Sequence, residues 1–511
     1  MLSLINSCGL MGIDGYTVKV ETDVGNGLPH FDLVGLPDAS VKEAKERVRS
    51  AIKNSGFGFP AKKIVVNLAP AALKKVGASY DLPIAVSVLC ATNQLPQEAV
   101  KDAVFIGELS LDGSVYAVNG VLPMVISALS EGYDTFFVPK DNAAEASAVT
   151  GAKVYPVSML KDIFDHFCTD SMIEQYIHSE NNLIDNFQDS FLDFKDVKGQ
   201  DNAKRAIEIA AAGNHNILLI GPPGTGKTML AQRIPGILPD LTTAESLEVT
   251  KIHSIAGILP AGVSMVKTRP FRSPHHSVST PGLTGGGAGL PRPGELSLAH
   301  NGVLFLDELP EFKRDVLESM RQPLEDGIVT ISRVAASLTY PCNMMLVASM
   351  NPCKCGYFGS GTHRCTCTQA QIDSYRARIS GPLLDRIDIQ VEVGSVNYSD
   401  LSTTEVTDST AVIKERVNRA RAIQQERYKG LSIYSNAQLN SGQFEEFCRI
   451  GEREHRLLEN AFNKLGLSAR AYSRILKVAR TIADLDGLKD INASHIAEAI
   501  QYRSLDRKYF E

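Results

Sequence analysis

The run Gly221 to Thr228, GPPGTGKT, fits G-x-x-x-x-G-K-[ST] and stands between an apolar stretch, ILLI, and a helix-like one, MLAQRI. In such a loop Gly221, Pro222, Pro223, Gly224, Thr225 and Gly226 form a backbone whose N–H groups can close around phosphates. Lys227 brings a point positive charge to the β- and γ-phosphates, and the Thr228 hydroxyl can ligate Mg²⁺. Further along, Val303 to Glu308 reads VLFLDE, an apolar strand that ends in two acids. Asp307 can hold Mg²⁺, directly or through water, and Glu308 is the candidate general base for an attacking water. A third apolar run, MMLVASMN, ends in Asn351. An amide at that strand tip could orient the lytic water; the alternative is a helix-capping Asn. A nucleoside triphosphate with Mg²⁺ is the expected ligand and hydrolysis the expected reaction.

A different chemistry is written into Cys353, Cys355, Cys365 and Cys367, two C-x-C pairs nine residues apart. Four soft thiolates this close suit tetrahedral Zn²⁺, with no open position for catalysis. The spacing departs from the commoner C-x₂₋₄-C knuckle, so free thiols and a redox or iron–sulfur role stay open. Asn351 lies two residues before the first Cys, so a metal clip here would stiffen the loop that leaves its strand. The other cysteines (8, 90, 168, 342, 448) are scattered and read as buried or inert.

The elements that must hold these groups follow from the apolar pattern. Residues 216–228 and 302–308 read as strands that end in motifs, and strand and helix patterns alternate around them, which is α/β. Upstream, 64–70 and 135–140 read as buried strands and Val41 to Lys53 as a helix. Residues 169–193 carry six acids and no Lys or Arg, an acidic linker. From about 411 the pattern turns helical and charged; 411–429 carries six basic residues against two acids, mostly a solvated face. The reading is 1–168 as one domain, 169–193 as linker, 194–395 as the nucleotide-binding core and 396–511 as a helical lid.

Composition bounds the rest. The 511 residues are 44% hydrophobic and 22% charged, which excludes a disordered or disulfide-stapled chain. The net charge of −6 shows no global basic field for nucleic acid, though a local basic surface or a basic hole in a ring stays possible. No apolar run is long enough for a transmembrane helix, and no charged n-region precedes Lys19, so a cytoplasmic protein without membrane contact is expected.

The segment from 194 onward resembles the helix-2-insert clade of AAA+ ATPases, which includes magnesium-chelatase motors and MCM helicases. Residues 269–312 (RPFRSPHHSVSTPGLTGGGAG…PRPGELSLAHNGVLFLDELPEF) and 351–389 resemble the ComM/YifB branch in particular. The resemblance implies an AAA+ P-loop core with a parallel sheet and a helical C-terminal lid. It puts Asn351 at sensor 1, Arg386 at the arginine finger, and Arg470 at sensor 2, with Arg474 and Arg480 as alternatives. A trans-acting arginine needs an oligomer, so a homo-hexameric ring is implied. The Gly-rich stretch 281–289 resembles the helix-2 insert, and 326–343 resembles the pre-sensor-1 hairpin with Arg333 near its tip. One arginine per subunit becomes a ring of them around a pore, which suits a DNA backbone. Lys267, Arg269, Arg272, His275 and His276 lie in a further basic stretch, either a DNA contact or a loop packed on its own domain. Without interleaved aromatics, backbone tracking is expected rather than base reading.

Residues 66–89 and 107–132 resemble a Lon-type protease domain of α+β fold. Where that family reads D-G-P-S-A-G, this chain has Asp81-Leu82-Pro83-Ile84-Ala85-Val86. Where it reads G-G-x-K-E-K, this chain has Leu122 and Met124 in place of both lysines. A Ser-Lys dyad needs a hydroxyl and a desolvated amine, and these residues supply neither. A protease is therefore excluded on chemistry. The expected function is a DNA motor for branch migration or strand separation, in recombination or natural transformation. The alternative is a magnesium-chelatase-like remodeller of proteins, without DNA.

Overall fold

The computed structural model describes residues 2–177, 192–287, 291–333, 337–359, 364–395, 408–431, 433–465, 468–505 and 509. The chain begins with a long antiparallel hairpin, β1 (Leu2–Met11) and β2 (Asp14–Gly25), turned at Gly12 with φ +68°. With β3 (His30–Val34), β4 (Lys63–Ala69), β5 (Ala103–Phe105), β6 (Thr135–Pro139) and β7 (Lys153–Val157) it forms one mixed sheet in the order β3-β4-β2-β1-β5-β6-β7. Alternation sends Phe105 and Phe137 to one face and Val104 and Phe136 to the other. The first face is covered by α1 (Ala39–Asn54), whose N-terminus is capped by Asp38, and by α2 (Asp81–Ala91). The second is covered by α3 (Val121–Ser130).

All of α2 is buried, which explains why it is apolar on every side. Ile84 packs in the core beneath α1, while Met124 packs with Cys8, Val104 and Phe136 across the sheet. Leu122 is fully buried. Asp81 remains as an anchor, held bidentately by Arg47 at 2.6 and 3.0 Å. The positions that would carry a dyad are core positions here.

The second sheet is parallel throughout, in the order β9-β12-β15-β8-β16. Its strands are β8 (Ile217–Ile220), β9 (Phe271–Arg272), β12 (Val303–Leu306), β15 (Met345–Met350) and β16 (Ile389–Glu392). Helices α4 (Asp201–Gly213) and α5 (Lys227–Ile237) flank β8, and α6 (Thr243–Ala256) follows with a Thr242–Glu245 capping box. Every residue of β8, β12 and β15 is buried, as expected for strands covered on both faces. Two hairpins stand out from this core: β10–β11 (Gly285–Gly286 with Arg292–Pro293) and β13–β14 (Ile328–Ser332 with Ser337–Pro341).

The C-terminal helices are α7 (Thr410–Arg427), α8 (Glu452–Leu465), α9 (Ala469–Leu485) and α10 (Ala493–Gln501). They share one continuous apolar cluster with the core, running from Ile207 and Ile217 through Ile413 and Val417 to Ile475 and Ile482. A buried polar tie reinforces it. Asp388 sits 3.1 Å from His215 Nδ1 and is paired with Arg474 of α9. The chain end also returns to the core: Tyr509 is buried and donates to Glu392 at 2.8 Å.

The connector read as 169–193 is engaged at both described ends. Tyr176 N–H bonds the Val154 carbonyl of β7 at 2.8 Å, and Asp193 accepts from Thr410 N–H at 2.8 Å. The first domain meets the second along α3 and α6. Gly120 N–H donates to the Ser254 carbonyl at 3.1 Å, and Ser254 Oγ donates to the buried Glu145 carboxyl at 2.6 Å. A second touch is made by the β1–β2 turn, where Ile13 packs on the core cluster that holds Leu338 of β14. Among the described residues no helix is long and apolar enough to cross a membrane.

Candidate nucleotide site

The order β12-β15-β8 places three motif-bearing strand ends side by side, at the edge where open parallel sheets bind ligands. β8 runs into the loop Gly221–Gly226. Gly224 and Gly226 take φ of +77° and +86°, a left-handed backbone that glycine adopts without strain. Lys227 opens α5, and its Nζ donates to the Gly221 and Pro222 carbonyls, both at 2.8 Å, and to Asn351 Oδ1 at 3.2 Å. Burial lowers the Lys227 pKa, while Asp307 and Glu308 pull it the other way. Thr228 Oγ1 donates to Asp307 Oδ2 at 2.8 Å, so the two groups read as Mg²⁺ ligands already lie together. Their hard oxygens at the mouth of a phosphate loop fit that ion.

Glu308 follows at φ +54°, uncommon for a non-glycine residue and a known place to find strain in functional sites. Its side chain is half-exposed, and His276 Nδ1 stands 4.0 Å from its carboxylate. His276 also lies against the His275 ring, with centroids 4.0 Å apart. Both histidines had been grouped with a basic stretch; the fold brings His276 to the candidate base instead.

One group at the site was not foreseen. Ser349, buried in β15, donates to Asp307 Oδ1 and accepts the Glu308 N–H at 3.2 Å. It orients both acids. A lone hydroxyl in the otherwise apolar run MMLVASM was the available signal.

Arg386 and Arg470 lie elsewhere. With Asp385, Arg474 and Lys477 they line a cavity of about 670 Å³ that includes no residue of the phosphate loop. Arg386 donates to the Arg321 and Pro382 carbonyls at 2.8 and 2.7 Å and pairs with Glu325. Arg470 is exposed and bonds Asp385 at 3.1 Å. The two alternatives to Arg470 are committed internally: Arg480 is buried on Asp484 and two carbonyls, and Arg474 holds Asp388.

The basic candidates separate as well. Lys267 and Arg333 are exposed. Arg333, at the end of β13, lies beside Gly286 of the other hairpin. Arg269 and Arg272 are engaged within their own domain, one of the two readings open for this stretch. Arg269 is held by Glu245 and by the Pro239 and Asn301 carbonyls, and Arg272 is bidentate on Glu295 at 2.6 and 2.8 Å. These partners, distant in sequence, tie both arginines to neighbouring segments of the same domain.

The four cysteines converge. Sγ separations are 3.4 Å for Cys353–Cys355, 3.5 Å for Cys355–Cys365 and 3.7 Å for Cys353–Cys365, and with Cys367 all four Sγ lie within 4.8 Å of one another. The cluster could hold a metal ion.

A parallel sheet with a phosphate loop on one strand, paired acids on the next strand but one and a polar tip on the strand between them define an AAA+ type P-loop ATPase. The chain belongs to the ComM/YifB branch of the magnesium-chelatase-like AAA+ family. The model for magnesium chelatase subunit ChlI matches residues 193–401, that for subunit ChlI of Mg-chelatase matches 20–142, and that for the ChlI C-terminal part matches 407–503. Competence protein ComM of Haemophilus influenzae is 45% identical over 508 residues, covering 99% of this chain and 98% of its own. YifB of Escherichia coli is 44% identical over 509 residues with the same coverage. Lon protease 2 of Bacillus subtilis is 31% identical over 142 residues, 26% of this chain and 25% of its own. The family implies an ATPase that uses ATP and Mg²⁺.

Proposed function

We propose that this ATPase works as a homo-hexameric ring that moves on DNA and drives branch migration or strand separation. Lys227 and the loop amides hold the phosphates of ATP. Thr228 and Asp307 hold Mg²⁺, which when bound neutralises charge on the β- and γ-phosphates. Glu308 takes a proton from water oriented by Asn351. Arg386 and Arg470 come from the neighbouring protomer, since their shared cavity lies apart from their own phosphate loop. They stabilise the charge that builds in the transition state.

The observation that carries the DNA reading is the position of Arg333. It follows the last residue of β13 and lies beside the glycine hairpin β10–β11, while its own hairpin, β13–β14, leads into β15. β15 ends at Met350, and the next residue, Asn351, is bonded to Lys227. A change at the phosphates thus has β15 and β14 to cross to reach the hairpin that carries Arg333. The match to a protein named for competence supports work on incoming DNA. The cytoplasm is the compartment this assigns.

The test is ATP turnover by the purified chain with no DNA, single strands, duplex and a mobile four-way junction, with oligomer mass followed alongside. The proposal expects DNA to stimulate turnover, the junction to be resolved in hydrolysable ATP alone, and a ring to form. Arg386→Ala should lower turnover about a thousandfold or more while ATP still binds. Turnover indifferent to every DNA would favour the chelatase-like remodelling of a protein partner.

A further inference from the structure

We propose that the four-thiol cluster is a structural zinc site whose occupancy holds the phosphate-binding loop in its nucleotide-ready shape. This rests on the ATPase reading for its second half and on the cysteines alone for its first.

The geometry of the thiols selects among their possible fates. A tetrahedral ion with Zn–S bonds of about 2.3 Å sets its sulfurs about 3.8 Å apart. The three separations among Cys353, Cys355 and Cys365, 3.4 to 3.7 Å, approach that edge length. They are far longer than a disulfide, whose sulfurs lie about 2.05 Å apart. Four thiolates leave no place for a catalytic water, so the ion's work is structural.

The loop that carries the first pair touches the nucleotide site twice. Its root is Asn351, bonded to Lys227 Nζ at 3.2 Å. Five residues on, Gly356 has φ +89°, and a Cβ there would stand 2.6 Å from Cδ of Pro223, inside GPPGTGKT. Between these points lie Cys353, fully buried, and Cys355. The back of the loop is fastened by Arg376, whose Nε donates to the Pro352 carbonyl at 3.1 Å and whose guanidinium lies 4.7 Å over the Phe358 ring. Without the ion, the thiols of Cys353 and Cys355 no longer tie the Gly356 turn to the segment of Cys365 and Cys367. With it, Cys365 and Cys367, which lead into the helix Gln369–Arg376, close the loop from the other side. Closing a loop removes chain freedom that nucleotide binding would otherwise have to remove.

The experiment uses the full chain expressed with zinc and purified without chelator. Metal content is read by plasma emission, and affinity for a fluorescent ATP analogue is measured before and after release of the ion by a mercurial, reversed with dithiothreitol and zinc. About one zinc per chain is expected, replaceable by Co²⁺ with an intense thiolate charge-transfer band. Release should weaken analogue binding about tenfold, and reloading should restore it. Cys365→Ser, a change outside the buried core, should lose metal and show the same weakening with an unchanged far-ultraviolet dichroism spectrum. Gly356→Ala should keep its zinc yet bind the analogue more weakly, because the added methyl meets Pro223. A chain without metal would overturn the site. Zinc whose release leaves affinity unchanged, or a Gly356→Ala chain that binds as well as the parent, would overturn the coupling. Zinc content is read without nucleotide, so failure of the ATPase reading shows separately, as a loaded chain that binds no nucleotide at all.

Discussion

At the residue scale the site divides into groups adjacent in sequence and groups that the fold assembles. Lys227 and Thr228 follow their glycines directly, and Asp307 and Glu308 end one strand, so their spacing alone pointed to phosphate chemistry. Two variants separate their work. Lys227→Ala should abolish binding of a fluorescent nucleotide, whereas Glu308→Gln should bind it and lose about 10²–10⁴-fold in turnover, read in a phosphate-release assay. Retained turnover in the second would move the base role to another acid. Ser349 was hidden because its partner Asp307 lies 42 residues away. Removing its hydroxyl in Ser349→Ala leaves one Asp307 oxygen without that donor. The Mg²⁺ concentration for half-maximal turnover should rise about tenfold, the usual size of such an indirect effect on a metal ligand. Arg269 and Arg272 show the converse: a basic run in sequence whose charges are answered by Glu245 and Glu295 from other segments.

At the element scale the strands were the legible part. A strand covered on both faces must be apolar along its whole length, and β8, β12 and β15 stood out for that reason. The docking of α7 and α9 onto α4 did not, because helix periodicity shows that an apolar face exists and not what covers it. Asp388 makes that docking titratable. Burial opposes its charge, but Arg474 and His215 outweigh burial and hold its pKa well below the usual carboxylate range. A depressed native pKa contributes stability above the unfolded value of about 3.9 and loses it as pH falls through the native one. Acid should therefore loosen the lid, seen as a falling urea midpoint below about pH 4. Asp388→Asn leaves Arg474 without its carboxylate and should cost about 3–5 kcal/mol at neutral pH. A neutral-pH cost under about 1 kcal/mol would mean that Arg474 finds water or another acid.

At the scale of the whole molecule, the resemblances covered both domains, while their junction was unreadable, since none of its contacts lies within one motif. Its polar centre is Glu145, whose carboxyl is pushed up chiefly by burial, against the hydrogen bonds from Ser254 and Asn142. A raised native pKa contributes stability that is complete below the unfolded value, about 4.3, and declines as pH rises through the native one. Glu145→Gln has no charge to bury. The gap in melting temperature between Glu145→Gln and the parent should therefore widen in the variant's favour as pH rises from about 5. Parallel melting curves would show that the interface tolerates the charge.

The junction has one more property, which follows from where its two contacts lie. α3 bears on α6 in the core, and the β1–β2 turn bears on the cluster beneath the β13–β14 hairpin. Both contacts spring from one seven-stranded sheet, which bends far less readily than a loop. A plate pinned at two points tilts whenever those points shift against each other. A relative shift of α6 and the hairpin would therefore turn the first domain as a unit rather than bend it.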